Sequence, residues 1–188
     1  MLIDNPVLIK DIFTEEQRKK LIEDSKPLLL DGKKVNQFFQ WSDYYQEDFN
    51  WYKATHATIH LHPDFIWAFD IIISRLKDVV GMEFEVDASW MNLSNGDRDR
   101  RKVLEKNGGK WWHNHKKGPV SRGCDYACVY YMKIPFPFFS NGTLFKDYGL
   151  VKAKQNSMLL FPSHLDHATP SSPLRFKRQT WAINLNRR

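Results

Sequence analysis

Tyr126-Ala127-Cys128-Val129-Tyr130-Tyr131-Met132-Lys133-Ile134 reads as a β-strand, because aromatic and β-branched residues dominate it and Pro135 and Pro137 end it. Segments of the same character lie on either side. From Gly81 to the C-terminus they run Phe84 to Leu93, Lys110 to His115, Thr143 to Phe145, Ser157 to Phe161 and Gln179 to Leu185. Turn residues separate them, among them Asn95-Gly96-Asp97, Asn107-Gly108-Gly109, Ser140-Asn141-Gly142, Pro162 and Pro170-Ser171-Ser172-Pro173. Short strands in this succession predict an all-β barrel or sandwich.

Upstream of Gly81 the pattern is helical. Thr14-Glu15-Glu16-Gln17 is a capping box, with Ile12 and Phe13 placed to staple onto Leu21 and Ile22, and predicts a helix from Thr14 to Lys26 that stops at Pro27. Phe65, Ala68, Phe69, Ile72, Ile73, Leu76 and Val79/Val80 recur at helical spacing and predict a second helix from Asp64 to Val80. The stretch between them, with the aromatic segment Phe38 to Tyr52, alternates poorly and gives no clear reading. No repeat or linker divides the chain. It is predicted to be a single domain over residues 1–188, mainly β (α+β), with residues 1–82 mostly helical support and 83–188 the β core.

Composition fits that expectation. The chain has 188 residues, 42% hydrophobic and 14% aromatic, enough to fill one core and to exclude disorder as the main state. No apolar run approaches the roughly 18 residues of a membrane-spanning helix. Met1-Leu2-Ile3-Asp4-Asn5-Pro6 is no secretory leader, so an intracellular, cytoplasmic location is expected. Cys124 and Cys128 would lie roughly 13 Å apart on a strand, too far for a disulfide, and read as thiols of a reducing compartment. There the sequons at Asn92 and Asn141 carry no meaning. The net charge of +6 allows a nucleic-acid partner, but the densest basic stretch, Arg98 to Lys110, reads better as a solvated surface loop.

The histidines are more informative. His113 and His115 alternate with Asn114, so on a strand they share one face, and His167 follows beyond the Phe161-Pro162 break. Two imidazoles roughly 7 Å apart at the backbone can both reach a metal at about 2.1 Å, and a third could converge on it. An ordinary amphipathic strand face remains the plainer alternative. His164 is the rival for the third position; His60 and His62 have no downstream partner and read as structural. In the last segment, alternation puts Arg178, Thr180 and Ala182 on one face and Gln179, Trp181 and Ile183 on the other. An inward guanidinium calls for an anion, and with a neighbouring hydroxyl its planar fork suits a carboxylate. Arg178 turned to solvent beside Arg175 and Lys177 is the alternative.

The ordered set Trp90-x-Asn92, His113-x-His115, Val129-Tyr130-Tyr131-Met132-Lys133-Ile134-Pro135, Leu159-Leu160-Phe161-Pro162-Ser163-x-x-x-His167 and Arg178-x-Thr180 resembles the iron(II)- and 2-oxoglutarate-dependent dioxygenases. The likeness is to the prolyl-hydroxylase-like branch, including small members of bacterial and phage type, over roughly residues 84 to 186. It implies a double-stranded β-helix (jelly roll), iron on His113 and His167, and the distal carboxylate of 2-oxoglutarate on Arg178, assisted by Thr180 and Tyr131. Asn92 would lie near the other end of the cosubstrate. One departure stands out: the family's H-x-D/E is here His113-x-His115. Residues 106–188 contain no Glu, and their only Asp residues are Asp125, Asp147 and Asp166. A three-histidine site is favoured over one completed by Asp125 or Asp166.

The implied activity is hydroxylation of a C–H bond in a peptide, prolyl or small-molecule substrate, consuming O₂ and releasing succinate and CO₂. Trp112, Trp181, Tyr130 and Phe161 are candidates for the pocket walls or the core behind them. Two other classes stay open: a three-histidine zinc hydrolase or lyase, which needs neither Arg178 nor Tyr131, and a non-catalytic β-barrel module whose basic loop meets nucleic acid or an acidic protein.

Overall fold

A computed structural model describes residues 3–31, 52–94, 112–116, 123–134, 141–170 and 177–188. Its elements in chain order are β1 (Val7–Lys10), α1 (Glu15–Ser25), β2 (Leu30–Asp31), β3 (Tyr52–Ala54), α2 (Ile66–Val80), β4 (Phe84–Ser94), β5 (Tyr126–Lys133), β6 (Gly142–Phe145), β7 (Gly149–Lys152), β8 (Ser157–Pro162), β9 (His167–Ala168) and β10 (Arg178–Arg187). Seven strands form one antiparallel sheet in the order β1-β8-β5-β10-β4-β3-β2, and three form a second, β7-β6-β9. The two face each other as a double-stranded β-helix, the mainly-β jelly roll expected.

The pairing register sorts the large sheet into two faces. Met91, Trp181, Tyr130 and Met158 are successive cross-strand partners on β4, β10, β5 and β8, and all four are fully buried. They form a row under the helices: Phe65 and Phe69 lie edge-on or tilted against Trp181, and Phe13 meets Tyr130 with ring centroids 5.0 Å apart. Leu21 of α1 and Ile72 and Leu76 of α2 complete this core without exposure. Each such side chain removed from water contributes about 1.5–3 kcal/mol. The next row, Asn92, Thr180, Tyr131 and Ser157, points the other way, into the space between the sheets. Leu159, Phe161, Phe145 and Leu165 form a second, smaller core there.

The helices begin and end for the reasons read from sequence. Thr14 Oγ1 accepts from the Gln17 amide at 3.2 Å while the Gln17 side-chain oxygen accepts from the Thr14 amide at 2.9 Å, closing the capping box. Arg18 ties α1 to the sheet by donating to the Met132 carbonyl at 2.8 Å. A short 3-10 turn, Pro63–Phe65, leads into α2, which ends where Gly81 takes the left-handed conformation at φ 66. No helix among the described residues is long and apolar enough to cross a membrane.

One reading is extended and one changes. Residues before 83 supply helices and also three strands, β1 at one edge of the large sheet and β2 and β3 at the other. Strands of two to four residues are too short for alternation to show. The expected strand Lys110 to His115 is, in its described part, a single bridge between His113 and His167. Trp111, Phe38 to Trp51 and the basic stretch Arg98 to Lys110 lie outside the described residues.

Candidate metal centre

β9 is two residues long and is held where it is by backbone bonds on both sides. His167 pairs with Phe145 of β6, and it exchanges two hydrogen bonds with His113, amide to carbonyl at 3.0 and 2.9 Å. Two residues on, the His115 amide donates to the Ser163 carbonyl at 2.8 Å, and its own carbonyl accepts from the Cys124 amide at 2.9 Å. Local alternation then does the rest: Asn114 turns away and donates to Asp166 at 2.8 Å, while His113, still exposed, and the half-buried His115 turn toward His167. The ring centroids of His113 and His167 are 4.2 Å apart, those of His115 and His167 5.2 Å, and those of His113 and His115 5.5 Å. One ring nitrogen from each lies within 4.8 Å of the other two.

The chemistry of these donors suits a metal. The N–H at Nδ1 of His167 donates to the Leu165 carbonyl at 2.9 Å, which leaves Nε2 as the ring's free lone pair. Burial pulls the His167 imidazole down to about 2 and His115 down to about 4, and in both the neighbouring His113 adds to the effect. Both rings are therefore neutral at neutral pH, the form that ligates. Phe161 lies edge-on 4.7 Å from His167, and Trp90 stacks on His115 at 6.1 Å, so aromatic surface backs two of the three rings.

Arg178 lies on the same interior face. Its Nη2 donates to the Gly142 carbonyl at 3.0 Å, and its guanidinium carbon sits 5.3 Å from the centre of the Tyr131 ring. Tyr131 is fully buried, its hydroxyl 2.7 Å from Thr143 Oγ1, and burial pushes its pKa up. Thr180 is buried beside Tyr131 in register, and Asn92 is half-buried directly across from Thr180. Gly142 and Phe145, the His167 partner, are the two ends of β6, roughly 10 Å apart along the strand. An arginine side chain and a small diacid together cover that span.

The other candidates lie elsewhere. His164 is exposed and outside the cluster, and His60 bonds to Ser89 at 3.0 Å and packs on Phe69, a structural role. Asp166 is engaged by Asn114 and lies 3.7 Å from Lys146, and Asp125 accepts from the Arg187 amide at 3.0 Å; neither joins the histidines. Of the aromatic residues named from sequence, Phe161 lines the interior, whereas Trp181 and Tyr130 belong to the core under the helices. Both cysteines are buried, and neither is in a disulfide among the described residues. Thr143 was not singled out by sequence reading, since nothing local marks a threonine that meets Tyr131 across two strands.

The sequence matches no family model and no curated protein. Solved structures share its fold. HygX from Streptomyces hygroscopicus, determined with nickel, 2-oxoglutarate and hygromycin B bound, superposes with a TM-score of 0.60 at 12% identity, over 97% of this chain and 83% of that one. The viral collagen prolyl hydroxylase vCPH from Paramecium Bursaria Chlorella virus-1, in its 2OG complex, gives 0.60 at 11% identity over 97% and 94%. A Pseudomonas putida prolyl-4-hydroxylase gives 0.58 at 11% identity over 98% and 94%. At such identities the likeness is one of fold.

Proposed function

We propose that the chain is an iron(II)- and 2-oxoglutarate-dependent oxygenase that hydroxylates a C–H bond of a peptide, prolyl or small-molecule substrate. The observation that carries this reading is a cluster of three converging imidazoles, two of them held neutral by burial, with Arg178 bonded to the other end of the strand that pairs with His167. His113, His115 and His167 are the proposed ligands, and the fold neighbours crystallised with 2-oxoglutarate support the identity of the cosubstrate. Bound there, iron with 2-oxoglutarate supplies the oxidative chemistry that consumes O₂ and yields succinate, CO₂ and a hydroxylated product.

Each remaining role belongs to the chain's own groups. Arg178 presents its fork to the distal carboxylate, pre-aimed by the Gly142 carbonyl and stacked near Tyr131. The hydroxyls of Tyr131, Thr143 and Thr180 offer neutral hydrogen bonds around the same carboxylate, and Asn92 extends that polar rim. Phe161 shields the His167 ring and Trp90 one face of His115. Three neutral ligands leave the full charge of the metal to be balanced by the cosubstrate's carboxylates, where a carboxylate ligand would already have offset part of it.

Anaerobic addition of iron(II) and then 2-oxoglutarate tests metal, cosubstrate and open face together. A charge-transfer absorption that needs both is the expected result. Tight zinc binding with no response to 2-oxoglutarate would instead assign the site to a hydrolase or lyase, the reading that leaves Arg178 without a role.

A further inference from the structure

The interior row of β10 begins at Arg178 and passes through Thr180 and Ala182 to Asn184. Its cross-strand neighbours at Asn184 are Ala88 and Ala127, so nothing bulky stands beside the carboxamide on that face. The end of β10 that carries Asn184 is also tied to the segment that carries His115. Leu185 accepts from the Asp125 amide at 3.0 Å, and Cys124, next to Asp125, donates to the His115 carbonyl at 2.9 Å.

Two observations concern the carboxamide itself. Its oxygen is buried and completes no hydrogen bond in the structure, one of the few side-chain atoms so placed among the described residues. The carboxamide also lies on the His115 side of the sheet: Trp90, the cross-strand partner of Ala182 one step along the same face, stacks on the His115 ring with centroids 6.1 Å apart, and Asn184 is the side chain within hydrogen-bonding reach of that ring. A buried acceptor facing an imidazole, short of a formed bond, needs only a small rotation of the ring to be satisfied. His167 already shows the completed form of the same device, with its N–H on the Leu165 carbonyl.

We infer that Asn184 is a positioning residue for the third ligand: its side-chain oxygen accepts the N–H of the His115 ring nitrogen turned away from the metal, fixing the tautomer and rotation of that ring. The inference rests on the three-histidine reading of the site. A neutral acceptor is the fitting partner, because it orients a neutral imidazole without adding charge to the donor set.

Zinc titrated into the full chain tests this, with ring ¹⁵N shifts of the zinc-loaded histidines as a second readout. Asn184→Ala is expected to weaken zinc binding by about 10–100-fold and to give His115 a mixture of tautomers, with an unchanged far-ultraviolet spectrum. Asn184→Asp, which keeps an acceptor, is expected to bind at least as tightly as the natural chain with His115 in one tautomer. Unchanged affinity and tautomer in Asn184→Ala would overturn the inference, as would an equal loss in both variants, which would mark Asn184 as packing. Should Asn184→Ala fail to fold, Asn184→Asp alone decides, since a marked loss of affinity there also refutes it. A natural chain that binds no zinc, or a His167→Ala variant that binds as well, would refute the metal centre itself.

Discussion

His167 must be dry enough to stay neutral and must be held so that one nitrogen points at the metal; its burial meets the first demand and the Leu165 carbonyl the second. His167→Ala is expected to abolish iron and nickel binding while leaving the circular-dichroism spectrum of the fold intact, and retained binding would remove it from the site. For Arg178→Ala the expectation is a loss of roughly 2–5 kcal/mol in 2-oxoglutarate affinity with metal affinity unchanged, because the distal carboxylate loses its only proposed cation. The depressed imidazoles also make the metal-free protein acid-sensitive. Below about pH 6.5 the unfolded chain takes up protons that folded His115 and His167 refuse, so this stability is complete above that pH and drains away as the pH falls toward about 4 for His115 and about 2 for His167. The urea midpoint should fall between about pH 7.5 and 5, and fall less in His167→Gln. At this scale residue type and alternation made His113, His115, His167 and Arg178 candidates, and the family resemblance gave them their proposed roles. Thr143 was not legible, because it matters only through Tyr131 on a distant strand.

β6 shows how an element can set the site. Gly142 has φ 140, and a Cβ there would stand 2.0 Å from the Val151 carbonyl oxygen of β7. Gly142→Ala must therefore shift β6, moving the carbonyl that aims Arg178 and the Thr143 hydroxyl on Tyr131. Weaker 2-oxoglutarate binding together with a lower melting temperature is the expected outcome, and an unaltered cosubstrate titration would count against β6 as the scaffold of the pocket. The helices were readable from the capping box and the apolar periodicity because both signals are local. The strand expected over Lys110 to His115 turned out, where described, to be one bridge: its residue types suit a strand, but pairing depends on what lies opposite, and among the described residues the bridge is to His167 of β9.

For the molecule as a whole, the proposed ligands come from the segment before β5 and from β9, so metal binding ties distant parts of the chain together in the folded state only. At about 100 times its dissociation constant the metal should add about 2.7 kcal/mol, or about 5–10 °C in melting temperature for a domain of this size. Nickel with 2-oxoglutarate, followed by thermal unfolding, checks this, and Arg178→Ala should keep the metal's share and lose the cosubstrate's. What the sequence determined by itself was the kind of fold and the donors available to it: strand-forming segments after Gly81, two capped or periodic helices before it, three spaced histidines and an arginine without a nearby acid. Only the tertiary structure decided that the N-terminal region also edges the large sheet, that Asp125 and Asp166 turn to other partners, and that Thr143 meets Tyr131. The reason is physical: periodicity and capping are written within a few residues, whereas each of those encounters depends on antiparallel register between strands far apart in the chain.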